Sequence, residues 1–177
     1  IMICTPSLKL DTKAAIESGT EGEGEAGKIA IHTENLDVMS GGKLSVRTEQ
    51  TGTGGTLIIS GPDPESHEDF ADSVTLSGTE TVIRADTIGR ADAGTLAITA
   101  KNLSLTDDAS IITSSSDKGN AGDIILKLSS LHLANGASAS SASEYPGAKI
   151  YSVATPPDLD GLTDSSLEGD MAIVENA

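Results

Sequence analysis

The 177-residue sequence contains few aromatic residues and almost no cysteine. Phe70, Tyr145 and Tyr151 are its aromatic side chains, and there is no tryptophan. The core must therefore be aliphatic, and the stacking rings that line many sugar-binding clefts are almost entirely missing. Cys4 is the single cysteine, so no disulfide can form within the chain and no thiolate metal site exists.

Basic residues are also scarce, because 11 lysines and arginines stand against 27 aspartates and glutamates, for a formal net charge of −16. This balance repels phosphate backbones and anionic lipid headgroups, which argues against nucleic acid and membrane surfaces as partners. No apolar run approaches the roughly 20 residues that a membrane-spanning helix needs, so membrane insertion is not expected.

Glycine, in contrast, is abundant, and one short phrase that contains it returns four times. The phrase is centred on Gly27, Gly55, Gly94 and Gly122, each followed by aliphatic residues two positions apart. The intervals between these glycines are 28, 39 and 28 residues. The sequence therefore predicts a repeat of about 28 residues, one copy of which carries an excess of 11 residues.

Each repeat contains three short segments in which aliphatic and polar residues alternate, the pattern of half-buried β-strands. One such set is Leu36/Val38, Leu44/Val46 and Leu57/Ile59. Identical inward columns in three strands per repeat favour an all-β, single-stranded parallel β-helix, a solenoid in which each repeat forms one coil. A β-sandwich would not keep this register. We predict the solenoid over residues 1–153.

Two further columns support the stacking of coils. Small polar residues precede the second strand of each repeat and are predicted to form a hydrogen-bonded ladder, at Ser7, Asn35, Ser73, Asn102 and Ser130. The repeated glycine marks either a turn with positive φ or a place where neighbouring coils approach closely. Asn102 begins a glycosylation sequon, but its place in this column assigns it a structural role.

The excess residues of the long repeat indicate an insertion loop at residues 61–73, which is the candidate recognition element because solenoid insertions project from one face. Its candidate binding residues are Asp63, Glu65, His67, Glu68, Asp69, Phe70 and Asp72. Carboxylates at this density would suit Ca²⁺, but neither the EF-hand spacing nor a glycine-rich Ca²⁺ nonapeptide is present. No cofactor is therefore expected, with Ca²⁺ at this loop or a plain solvated loop as alternatives.

The remaining features carry bland interpretations. His32 and His132 follow inward residues and are predicted to point into solvent, and the histidines do not cluster. Cys4 has no neighbour that would activate its thiol. One further turn is predicted to start two residues early near Ile150. Residues 154–177, which contain Pro156 and Pro157, carry six acids and no basic residue, which predicts an exposed or disordered tail.

The phrases at residues 119–124 (Gly-Asn-Ala-Gly-Asp-Ile) and 130–138 resemble the repeats of filamentous-haemagglutinin-like exoproteins. The resemblance covers roughly residues 7–153 and lies in the repeat pattern rather than in a catalytic signature. It implies a right-handed coil, export by two-partner secretion, and a place outside or on the surface of a Gram-negative bacterium. The Asn-Pro-Asn-Leu type motif of the secretion domain is absent, so we expect the outer-membrane secretion partner to act on residues not present here.

We therefore predict a non-catalytic shaft or scaffold segment of an adhesin, with host or bacterial surface glycans or proteins as partners. One alternative is a polysaccharide-acting β-helix enzyme or tailspike fragment, which carboxylates converging on one face beside a cation would favour. Its candidates are Asp107 and Asp108, together with Arg84, Asp86, Arg90 and Asp92, but the Gly-His-Gly and Arg-x-Lys motifs of pectinase-like hydrolases are absent. Asp107 and Asp108 also fall at a repeated turn. The second alternative is a self-assembling fibre without a specific receptor.

Overall fold

A computed structural model describes residues 1–22, 24, 26–49, 52–65, 69–116, 119–143, 150–154 and 171–173. Within these ranges the chain forms β-strands and turns with no helix, and the strands stack as a β-solenoid of about five coils. Every strand pair is parallel, and most partners lie 28 residues apart, as Met2 and Ala30 do. The predicted fold class is confirmed.

The rod has three faces, each formed by one strand position of the coil. The strands are β1 Met2–Cys4, β2 Ser7–Leu10, β3 Ala15–Thr20, β4 Lys28–His32, β5 Asn35–Met39, β6 Lys43–Thr48, β7 Thr56–Ser60, β8 Ala71–Ser77, β9 Val82–Thr87, β10 Thr95–Thr106, β11 Ser110–Ser115, β12 Ile124–Leu133, β13 Ser138–Ser143, β14 Ile150–Ala154 and β15 Met171–Ile173. The first face runs β1-β4-β7-β10-β12-β14-β15, and the third runs β3-β6-β9-β11-β13. The second face contains β2, β5, β8 and the later halves of β10 and β12.

Inward side chains stack in columns along the rod axis. Ile29, Leu57, Leu96 and Ile124 are register partners on the first face, and each is fully buried. Leu44, Ile83 and Ile111 form the equivalent buried column on the third face. Each fully buried aliphatic side chain contributes about 1.5–3 kcal/mol relative to exposure. The columns are those that the alternating pattern predicts.

Two of the predicted strand junctions contain no break. β10 and β12 continue from the first face to the second as single strands of 12 and 10 residues. Their corners are marked by two consecutive exposed residues, Lys101–Asn102 and Ser129–Ser130. Two outward residues in succession shift the alternation by one position, so the following side chains again point into the core.

The 11-residue excess is divided between two places. Asn35 pairs with Ser73, 38 positions later, so the connection between β7 and β8 holds ten extra residues. Leu44 pairs with Ile83, 39 positions later, which places one more residue in the turn between β8 and β9. That turn contains Gly78 at φ 95°. The predicted 61–73 loop therefore holds most of the excess but not all of it.

The repeated glycines are sites of close approach between coils. Among these four positions none has a positive φ. A Cβ placed on Gly94 would overlap the carbonyl oxygen of Gly55, and one on Gly122 would overlap that of Gly94. Left-handed backbone instead occurs at the turn before the third strand, as at Ser40, Asp107 and Asn135. Of the two predicted roles for this glycine, close approach is correct.

The polar ladder is present on the second face. The Ser73 hydroxyl donates to Asn35 Oδ1 over 2.8 Å, and the Ser130 hydroxyl donates to Asn102 Oδ1 over 2.9 Å. Asn102 also donates through Nδ2 to the backbone oxygen of Asp72 over 3.0 Å. These bonds join the second coil to the third and the fourth to the fifth, which supports the structural role predicted for Asn102.

His32 is a correction to the sequence analysis, whereas His132 is exposed as predicted. The His32 side chain faces outward, yet the residue is only 7% exposed. Its Nδ1 forms a 2.9 Å hydrogen bond with Ser60 Oγ on the next coil. Ala30, two positions earlier on the same side of β4, is also buried. Alternation identifies the side of the strand, but it does not show whether that side is covered.

The end of the rod departs from the aliphatic pattern. On the third face the inward column ends in Thr113 and Ser141, and both hydroxyls donate to the Gly122 backbone oxygen over 2.8 Å. β14 pairs Ile150 with Ile124, 26 positions earlier, so the extra turn begins two residues early as predicted. β15 pairs with β14, and apart from that strand and Ala154 the acidic segment 154–177 lies outside the described residues.

Candidate functional site

The described part of the 61–73 loop places its acidic residues in two settings. Asp63 and Glu65 are exposed, whereas Asp69 and Phe70 are half-buried. Asp72 is exposed as the second residue of β8. His67 and Glu68 lie outside the described residues, so their predicted role in recognition stays a prediction.

The loop is closed at its base by its own hydrogen bonds. The Gly61 N–H donates to the backbone oxygen of Asp69 over 2.9 Å, and the Asp63 N–H donates to Asp69 Oδ2 over 2.8 Å. The Glu65 N–H donates to Asp63 Oδ1 over 2.9 Å. A Cβ on Gly61 would lie 2.5 Å from the Asp69 carboxyl carbon, so this position requires glycine. The Asp69 carboxylate thus organises the backbone of the loop.

Two lysines from later coils hold the C-terminal part of the loop. Lys101 Nζ lies 2.6 Å from Asp72 Oδ1, and this hydrogen bond raises the pKa of Lys101. Lys127 Nζ lies 5.7 Å from the centroid of the Phe70 ring, within the range of a cation–π contact. The loop is therefore fixed to the fourth and fifth coils, while Asp63 and Glu65 remain exposed.

The Ca²⁺ hypothesis gains no support from the loop residues that the structure describes. No group of three or more histidine, cysteine, aspartate or glutamate side chains in the described ranges converges enough to hold one metal ion. The carboxylates of Asp63 and Asp69 already accept backbone N–H groups. Because His67 and Glu68 are not described, Ca²⁺ binding by the whole loop stays a prediction.

The sequence analysis did not anticipate a groove on the third face. This third-face groove encloses about 300 Å³ and is lined by Glu17, Ser18, Gly19, Thr20, Glu21, Ser45, Arg47, Glu49 and Arg84. Strand register brings the lining residues together, because Ser45 pairs with Glu17 and Arg84, and Arg47 pairs with Gly19 and Asp86. The usable signal in the sequence is this coincidence of positions 28 and 39 residues apart.

Asp86 lies beside the groove and is held by its neighbours. Ser114 donates its hydroxyl to Asp86 Oδ1 over 3.0 Å, and Arg84 Nε lies 3.4 Å from Asp86 Oδ2. Burial raises the pKa of Asp86, and the Ser114 hydrogen bond and the positive charges of Arg84 and Arg47 oppose that effect. Arg84 Nε also donates to Ser45 Oγ over 3.1 Å.

The other residues considered for the enzyme alternative are not brought to this groove. Asp107 and Asp108 adopt φ of 56° and 64° in the turn before β11, the turn position that the sequence predicts. Asp108 lies six positions before Ser114, the register partner of Asp86, which is about 20 Å along an extended strand. Glycosidase carboxyl pairs lie about 5–9.5 Å apart, so Asp86 and Asp108 do not form one.

Asp92 and Asn135 complete the account of these candidates. Asp92 Oδ1 accepts the Asn120 N–H over 2.8 Å, so its carboxylate joins neighbouring coils. Asn135 Nδ2 donates to Asp107 Oδ1 over 2.9 Å across the stacked turns. Arg90 is exposed in the turn after β9, and Cys4 is exposed on β1 as the register partner of His32.

Comparisons with known proteins leave the chain without an assigned family. No family model, curated protein or solved structure matches it. In the described part of the chain, no helix has the length and apolar character needed to cross a membrane.

Proposed function

We propose that this chain is a non-catalytic shaft or scaffold segment of a secreted or surface-attached adhesin-like exoprotein. The observation that carries the proposal is the 61–73 loop, which leaves the register of the flanking coils intact. Leu57 and Leu96 remain partners, as do Val74 and Leu103. A rod that holds a large polar insertion without disturbing its core is suited to the display of a binding surface.

The mechanism in this proposal is geometric. The ion pair of Asp72 with Lys101 and the contact of Phe70 with Lys127 fix the loop to the rod, so little conformational entropy remains to be lost on binding. Asp63 and Glu65 stay exposed and are the groups best placed to meet a partner. Surface glycans or proteins of host cells or bacteria are the partners that this arrangement suits.

The proposal includes export through an outer-membrane secretion partner of a Gram-negative bacterium. It rests on the resemblance of the repeats at residues 119–124 and 130–138 to those of filamentous-haemagglutinin-like exoproteins. The composition is compatible, because a chain with one cysteine folds without disulfide formation and a net charge of −16 favours solubility.

The decisive experiment removes the insertion and keeps the coil. Deletion of Pro62–Ala71 joins Gly61 to Asp72 and leaves the two-residue connection that Thr33–Glu34 provides in the preceding coil. We expect the variant to fold with little change in melting temperature, while beads coated with it lose attachment to epithelial and bacterial cells. The matched control, Asp37→Asn on β5, should attach normally. Unchanged attachment of the deletion variant would exclude the loop as the recognition element.

One observation favours a second candidate, the polysaccharide-acting enzyme. The third-face groove collects Glu17, Glu49 and two arginines on one face, which is the arrangement that such an enzyme would use. Incubation with a panel of polysaccharides and measurement of new reducing ends tests this candidate. Cleavage that disappears in Glu17→Gln or Glu49→Gln would establish it, and the absence of cleavage would leave the non-catalytic proposal standing.

A further inference from the structure

The third-face groove has a floor of small residues and walls of long charged ones. Gly19 has no side chain, and the Ser45 side chain is buried beneath the Arg84 guanidinium that donates to it. Glu17 and Glu21 belong to the first coil, Arg47 and Glu49 to the second, and Arg84 to the third. The groove therefore crosses three coils, which is about 9.6 Å at the usual strand spacing.

The donors of the groove are two guanidinium groups with unused hydrogen-bonding capacity. Both contacts of Arg84 are made by Nε, and the contact of Arg47 to Glu49 Oε1 is also made by Nε, over 3.6 Å. In the described part of the chain no hydrogen bond uses the terminal nitrogens of either side chain. The side chains are 32% and 40% exposed for Arg84 and Arg47, so these donors are accessible to a ligand.

The acceptors are carboxylates that stand beside these donors. Glu17 and Glu21 form no ion pair with any described residue, and Glu49 is 44% exposed. Carboxylates and guanidinium groups that alternate over a short distance offer acceptors and donors to the same ligand. A hydroxyl group both donates and accepts, so a molecule that carries several hydroxyls matches both sets.

We propose that the third-face groove binds a short neutral oligosaccharide. Glu17, Glu21 and Glu49 together with the net charge of −16 oppose an anionic sugar, while Arg47 and Arg84 oppose a cationic one. A peptide gains little there, because no hydrophobic residue lines the described groove and the strands β6 and β9 are already paired on both sides. The groove offers hydrogen bonds without aromatic stacking, so each site binds weakly.

The groove deepens the proposed adhesive function and rests on it for biological meaning, but it is independent of the 61–73 loop. The loop joins strands of the first and second faces, whereas the groove lies on the third. Weak sites suit a rod that is attached in many copies, because multivalent attachment multiplies the effect of weak contacts.

Titration calorimetry and saturation-transfer NMR with defined hexasaccharides test the inference. The probes are neutral glucose, galactose and mannose oligomers, an oligogalacturonate and a chitosan oligomer. We expect a millimolar dissociation constant for at least one neutral probe, which Arg84→Gln weakens by about tenfold because charged hydrogen bonds are lost. Arg47→Gln, whose side chain contacts only Glu49 among the described residues, repeats the test if Arg84→Gln unfolds. The control Lys28→Ala removes one exposed positive charge at the start of β4 and should leave binding unchanged.

Four outcomes would overturn this assignment. They are no binding of any probe at about 20 mM, tighter binding of the oligogalacturonate than of every neutral probe, equal weakening in Lys28→Ala, and release of reducing ends from the bound sugar. The bead attachment assay with the Pro62–Ala71 deletion separates this result from the proposed adhesive function. Beads that attach through the loop while no neutral sugar binds would remove the groove alone.

Discussion

At the residue scale, stacking places the strongest demands on positions where backbones meet. The glycines at 55, 94 and 122 lie directly above one another, and each has a carbonyl oxygen where the next one would carry a Cβ. Gly22, in contrast, has open space around the same position. A glycine column in a solenoid is thus required by contact between coils rather than by a left-handed φ.

Gly94→Ala should destabilise the protein by about 3 kcal/mol or more, because the methyl group overlaps backbone that cannot move without shifting a coil. Urea unfolding followed by circular dichroism measures the change. Gly22→Ala is the matched control and should change the free energy of unfolding by less than about 0.5 kcal/mol. Equal effects of the two substitutions would contradict the role assigned to the column.

Asp86 makes a pH dependence testable at a single residue. Burial raises its pKa above 3.8, so the folded state loses stability as pH rises through the folded pKa and the carboxylate becomes charged. Asp86→Asn removes this loss, and its stability relative to the parent protein should increase from pH 3.5 towards pH 7. Urea unfolding at several pH values measures the difference.

Asp11→Asn provides a control of opposite sign. Hydrogen bonds from Ser40 and Lys9 lower the pKa of Asp11, so its contribution is present above pH 3.8 and lost as pH falls. This variant should therefore become less stable, relative to the parent protein, as pH rises. Parallel trends in the two variants would contradict the assigned directions.

At the scale of elements, the loop depends on cations supplied by later coils. The Phe70–Lys127 contact should show a coupling of about 0.5–1 kcal/mol in a double-mutant cycle of Phe70→Leu and Lys127→Gln. The cycle matters because Lys127 has other interactions, which the comparison of single and double variants cancels. The readout is the rate at which a protease cleaves within residues 62–65.

A second cycle, Asp72→Asn with Lys101→Gln, serves as the comparison. This exposed ion pair should lose its coupling in 1 M salt through screening, at a Debye length of about 3 Å. A Phe70–Lys127 coupling of zero would mean that the ring is held by packing alone.

The strands were predictable because their two periods are written directly in the sequence. Alternation identifies inward residues such as Leu57 and Ile59, and the 28-residue interval aligns them between coils. The third-face groove was not predicted, since Ser45 and Arg84 meet only after the ten-residue insertion and the extra turn residue are both placed. His32 failed for a related reason, because alternation reports only the side of a strand.

At the scale of the whole molecule, each coil contacts only its neighbours, so stability should vary along the rod. β1, β2 and β3 each have one partner strand, whereas β6 and β9 have two. Amide hydrogen exchange should therefore be fastest in the first coil and slowest in β6, β9 and β11. Mass spectrometry of exchanged peptides measures this gradient. Uniform protection along the chain would indicate a single cooperative unit instead.

The near-constant separation between strand partners has a consequence for how the molecule forms. Once one coil exists, its edge is a template, and the next coil needs only the following 28 residues to complete its pairs. Folding then resembles the growth of a crystal layer by layer, with a slow first layer and rapid additions. The 61–73 loop delays a single layer without changing those after it, so its length can vary freely while the rod grows at the same pace.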